Sequence, residues 1–139
     1  MSAEEKRTWI SALVAVVVPV AYLATILSRV PGTDVSRIGY VGPMLTSIGV
    51  GIGAAIVLSI VAAMIWPKDA DRVDERDREI NRRGEYVGFY VMSIAAIVPL
   101  VLAMAEAEYF WIANALYLAF VLAALISSVV KIVAYRRGW

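Results

Sequence analysis

Residues 43–66 read PMLTSIGVGIGAAIVLSIVAAMIW, a run of 24 residues without one Asp, Glu, Lys, Arg or His. At about 1.5 Å per residue such a run makes a helix of about 36 Å, enough to cross the roughly 30 Å of hydrocarbon in a bilayer. A buried helix of a soluble protein would normally keep a polar face, and this run has none. It reads as a transmembrane helix.

The same reading extends outward in both directions. Residues 9–27, 86–105 and 109–130 are equally free of charge, and between the second and third runs lies a densely charged connection, residues 67–85. In lipid every backbone polar group must be satisfied within the segment, so uncharged runs of this length form helices. The expected fold is therefore all-α: a polytopic membrane protein, a four-transmembrane-helix bundle with a charged helical loop between helices 2 and 3. With 139 residues and 61% hydrophobic content, the four spans consume nearly all of the chain, so residues 1–139 read as a single membrane domain. The first run continues to Leu27 without a nearby small-residue cleavage pattern and reads as a retained span.

Composition narrows the chemistry. Cysteine and histidine are both absent. That removes disulfides, thiolate nucleophiles, imidazole acid–base catalysis and the usual ligands of zinc, copper and haem. No cofactor, metal site or catalytic residue is expected, and the protein reads as non-enzymatic. The loop acids Asp74, Glu75, Asp77, Glu79 and Glu85 suit Mg²⁺ as hard oxygen ligands, but each has an arginine within four residues to compete for it. A net charge of +1 gives no reason to expect nucleic-acid binding. No ionisable side chain falls inside a span, which argues against proton-coupled export.

The basic residues are sorted by side. Of the 13, all but Arg29 and Arg37 lie in the N-terminal segment, the 67–85 connection or the C-terminal segment. The positive-inside rule then puts both termini and that connection in the cytoplasm, at a plasma (inner) membrane. Aromatic residues mark the two interfaces, with Trp9, Trp66, Tyr86, Phe89, Tyr90, Tyr135 and Trp139 inside and Tyr40, Tyr109, Phe110 and Trp111 outside.

Three groups of residues stand out as candidate sites. Gly49 and Gly53 form a GxxxG, beside the row Ser47, Gly51, Ala55, and the fourth span repeats the four-residue spacing in Ala115, Ala119, Ala123 and Ser127. Small residues so spaced let helices approach closely, within the bundle or across a homo-oligomer seam. Pro19 and Pro99, at similar depths in spans one and three, predict kinks. In the outer third, Tyr22, Thr25, Thr46, Asn114 and Tyr117 form a polar cluster that suits either a small-solute channel, transporter or binder, or helix–helix hydrogen bonding. Of these, Asn114 most needs a partner.

The third group is the charged loop. Asp74 with Arg78 and Glu79 with Arg83 are favourable i, i+4 pairs, so a helix is expected over residues 69–83, feeding into span three. Val73, Ile80 and Val87 recur every seven residues as an apolar stripe. The stretch R-E-I-N-R-R-G-E resembles the signature of four-span membrane glutathione transferases, but Asn81 and Glu85 are four apart where that family has three, and the surroundings do not match. The run Asp74-Glu75-Arg76-Asp77-Arg78-Glu79-Ile80, followed by Arg83-Gly84, resembles instead the D-E-R-x-x-x-I loop signature of small, uncharacterised four-span prokaryotic membrane proteins. That resemblance covers the loop and the layout. It implies a partner of the small helix-turn-helix regulator kind. The expected function is thus a scaffold or regulatory component that docks a cytoplasmic protein through Asp74, Arg78, Ile80, Arg82 and Arg83, with membrane lipid as its other partner.

Overall fold

A computed structural model describes residues 2–32, 34, 37–68 and 73–138. Every element among them is helical: α1 (Ala3–Leu27), α2 (Val41–Ile65), α3 (Glu75–Ala95), α4 (Ile97–Met104) and α5 (Tyr109–Arg137). Helices α3 and α4 follow one another across Ala96 and together form the third of four helices long and apolar enough to cross a membrane. The chain is an all-α, multi-pass membrane protein.

The start and the break of α3 have local causes. Asp74 is extended, with ψ 175°, and caps the helix: its carboxylate accepts from the Asp77 amide at 2.7 Å, while the Asp77 carboxylate accepts from the Asp74 amide at 3.3 Å. This reciprocal capping box satisfies amides that the first turn leaves unpaired. The helix therefore begins at Glu75; residues 69–72 of the expected loop helix lie outside the described residues. Pro99 accounts for the break at Ala96, because it has no N–H to offer the Ala95 carbonyl and its ring crowds that carbonyl. Pro19, by contrast, sits inside an uninterrupted α1.

Helix α5 is the central element. It packs against α1, α3 and α4, and α2 packs against α1. Within its most apolar stretch α2 is left open to the surroundings, with Ser47 its one buried residue. In hydrocarbon such exposure carries no penalty, since lipid tails are as apolar as Val and Ile.

Small residues set the tightest contact, though not at the GxxxG of α2. A Cβ added at Gly49 or Gly53 would meet nothing within 4 Å, whereas one at Gly51 would lie 3.8 Å from Val18. Two residues along a helix is a turn of about 200°, so the 47/51 row faces α1 and the 49/53 pair faces away. The close approach is made by Gly84 and Gly88 of α3, a GxxxG that the sequence reading passed over. A Cβ at Gly88 would stand 3.1 Å from Ser127 Cβ and 3.4 Å from the Ala123 carbonyl, and at Gly84 it would run into the Lys131 side chain. The α5 row of Ala119, Ala123 and Ser127 is thus spent inside the molecule, with Ala119 buried.

Candidate functional site

The end of the molecule that carries both termini is knitted together by polar side chains. Ser2 caps α1 by accepting from the Glu5 amide at 3.1 Å, and its hydroxyl donates to Asp77 at 3.1 Å. The Tyr135 hydroxyl donates to the same Asp77 oxygen at 2.9 Å, and Asn81 donates to Glu4 at 3.0 Å. Arg136 lies 3.4 Å from Glu5, and the Lys6 ammonium stands 4.4 Å above the Trp66 ring. One short α1 turn therefore ties down α2, α3 and α5 together. Asp77, only 4% exposed, is buried at little cost because each carboxylate oxygen has a donor. Burial, reinforced by the hydrogen bond to Asp77, pushes the Tyr135 phenol above its ordinary value and keeps it a donor.

These contacts reassign the loop residues. Asp74, expected to pair with Arg78, instead caps α3, because an N-cap side chain folds back on its own first turn. Ile80 is buried against the rest of the bundle with Asp77, Gly84 and Gly88, so the buried stripe of α3 is not the one expected. Of the seven-residue row, Val73 precedes the helix and is exposed. Arg76 reaches the Tyr135 carbonyl at 3.4 Å. Among the candidate docking residues Ile80 is buried, Asp74 is exposed but spent as the cap, and Arg78, Arg82 and Arg83 are exposed. Glu79 joins Arg82 at 2.6 Å and Arg83 at 2.7 Å, and the Arg83 hydrogen bond leads the causes that hold its carboxyl below the usual range.

At the opposite end the outer polar cluster is assembled in part. The Tyr22 hydroxyl donates to Asn114 Oδ1 at 2.6 Å, and the Asn114 amide donates to the Phe110 carbonyl at 2.8 Å. Tyr117 and Ser47 share a 2.6 Å hydrogen bond, and the Tyr22 and Tyr117 rings lie 4.6 Å apart. Ile26, Ile38 and Phe110 surround them as the apolar core of this end. Ser47 is the member the cluster needs from α2; in the sequence it stands out only as a polar residue of the row Ser47, Gly51, Ala55. Thr25 does not join, since its hydroxyl returns to the Ala21 carbonyl at 2.9 Å. Thr46 lines a groove between α1 and α2. The cluster's donors and acceptors are turned on one another, which fastens α1, α2 and α5.

A third constellation was not anticipated as a site. Between α1, α3 and α5, on the terminus-bearing half, runs a groove of about 500 Å³ lined by Ser11, Phe89, Met92, Phe120, Ser127, Ser128 and Lys131. The chain matches no protein-family model, no curated protein and no solved structure.

Proposed function

We propose that this protein is a non-enzymatic membrane component that docks a soluble protein on its terminus-bearing face, with that face in the cytoplasm of a plasma (inner) membrane. The observation that carries the reading is the rigid extension of α3. Its first eleven residues precede the uncharged run 86–105 and are braced by Ser2, Glu4 and Tyr135. That brace holds Arg78, Arg82 and Arg83 outward on a helix face whose orientation does not depend on the partner. Preorganised charges lose less entropy on binding than flexible ones. With Glu79 occupied by two guanidiniums, the face is net basic, which favours a partner with an acidic contact surface. The positive-inside rule supports the cytoplasmic assignment.

The docking surface is narrower than the loop signature implied. Asp74 and Ile80 support the platform, and the arginines meet the partner. Purification of the tagged full chain in mild detergent should bring down a stoichiometric soluble protein. Reversing Arg78, Arg82 and Arg83 to Glu together should abolish that recovery while membrane insertion is retained. Unchanged recovery from the triple variant, or a parent protein that carries lipid alone, overturns the reading.

A further inference from the structure

The groove between α1, α3 and α5 carries serine hydroxyls that neither helix packing nor partner docking uses. Ser127 and Ser128 are 8% and 6% exposed, yet among the described residues neither hydroxyl has a hydrogen-bond partner, and both line the groove. Serines in apolar helices ordinarily return to a carbonyl one turn back, as Ser93 does to Phe89 at 2.8 Å. At the mouth stands Lys131, its side chain 13% exposed and its stem laid over Gly84. It is paired with Glu85, whose own side chain is 74% exposed. Beside and below the serines the groove is lined by the apolar side chains of Phe89, Met92, Phe120 and Ala124.

Depth identifies the class of occupant. From Lys131 to Phe120 is eleven residues along α5, a rise of about 16 Å, close to half of a roughly 30 Å hydrocarbon core. The groove thus spans one leaflet, with charge at headgroup level, free hydroxyls about one turn deeper at ester level, and apolar walls beneath. We infer that it holds a glycerophospholipid of the terminus-side leaflet with a zwitterionic, amine-bearing headgroup of the phosphatidylethanolamine kind. The phosphate sits on the Lys131 ammonium and the lipid ammonium on Glu85, while Ser127 and Ser128 donate to the ester carbonyls. An anionic headgroup fits less well, because Glu85 repels it. A choline headgroup fits less well too, because it has no N–H to donate.

The test is native mass spectrometry of the full chain extracted from vesicles of equal phosphatidylethanolamine, phosphatidylglycerol and phosphatidylcholine. One phosphatidylethanolamine should be retained per protomer, about tenfold over the other two, the factor expected for one charge-assisted hydrogen bond. Lys131→Met should lower retention about tenfold. Ala124→Phe should fill the groove and abolish retention with helical content unchanged. Glu85→Gln should bring phosphatidylglycerol level with phosphatidylethanolamine. Parental phosphatidylglycerol retention equal to phosphatidylethanolamine overturns the inference, as does retention unaltered by both Ala124→Phe and Glu85→Gln. Ala124→Phe adds bulk at an exposed position, and Glu85→Gln keeps a carbonyl oxygen that can accept from Lys131, so the result stands even where Lys131→Met fails to fold. The docking reading does not enter this experiment.

Discussion

Single residues at the helix ends decide how the spans begin and stop. Asp74 and Asp77 start α3, and Ala107 and Glu106 close α4: the Ala107 amide donates to the Leu102 carbonyl at 3.0 Å and the Glu106 amide to the Ala103 carbonyl at 3.1 Å. That pattern is a Schellman motif, and it holds Glu106 at φ +54°, a conformation in which Cβ crowds the carbonyl. An acid at a helix C-terminus also opposes the helix dipole. Glu106→Gly should therefore stabilise the protein by about 1 kcal/mol, read as a raised midpoint of thermal unfolding in detergent. A lowered midpoint would mean that Glu106 has a compensating role. The residue identities at this turn are visible in the sequence, but the left-handed conformation is not, since glycine rather than glutamate is the usual occupant.

At the level of whole helices, the close approach of α3 to α5 is the contact on which the arrangement turns. It depends on Gly84 and Gly88, whose missing side chains let Ser127 and the Lys131 stem sit against the backbone. Gly88→Leu should cost about 2 kcal/mol or more by overpacking, measured by chemical unfolding in mixed micelles, whereas Gly53→Leu should leave stability nearly unchanged. Equal loss from both would mean that the α2 glycines also meet a helix, such as that of a second copy. The GxxxG pattern was legible at both places. Which of the two would be used depended on which face turned inward, and a span that is apolar all round carries no amphipathic signal to say so. In α3 the charged first turns did carry one: the buried side Asp77, Ile80, Gly84, Gly88 follows the helical period, and the seven-residue stripe does not.

Across the whole molecule, the two ends are held by different means. The terminus-bearing end is a network of charge and hydrogen bonds centred on Asp77. The opposite end is a small aromatic core around Tyr22, Phe110 and Tyr117, joined to α2 by the packing of Met44 and by the Ser47–Tyr117 hydrogen bond. Because α2 packs along α1 and is otherwise open, that bond bears on its attachment to α5. The chain has no cysteine, so labels can be placed without first removing any. Spin labels at Ile52→Cys and Leu122→Cys, both lipid-facing, should report a broader α2–α5 distance distribution when Tyr117 is changed to Phe. The hydrogen bond lost is worth about 1 kcal/mol, enough to populate a displaced α2. An unchanged distribution would show that packing alone positions it.

The sequence by itself determined the class, the number of spans and which connections share a side, because charge is too costly in hydrocarbon to be placed freely and its absence over twenty residues has one structural meaning. It also pointed to Asn114 as the polar group in need of a partner. Only the tertiary structure decided which partner, that α5 is central, that Asp74 and Ile80 serve the fold, and that Ser127, Ser128 and Lys131 share a groove. Those outcomes depend on the rotation of each helix about its own axis. In a solvent as apolar as the side chains themselves, that rotation is selected by close packing and a few hydrogen bonds, not by any pattern written along one span.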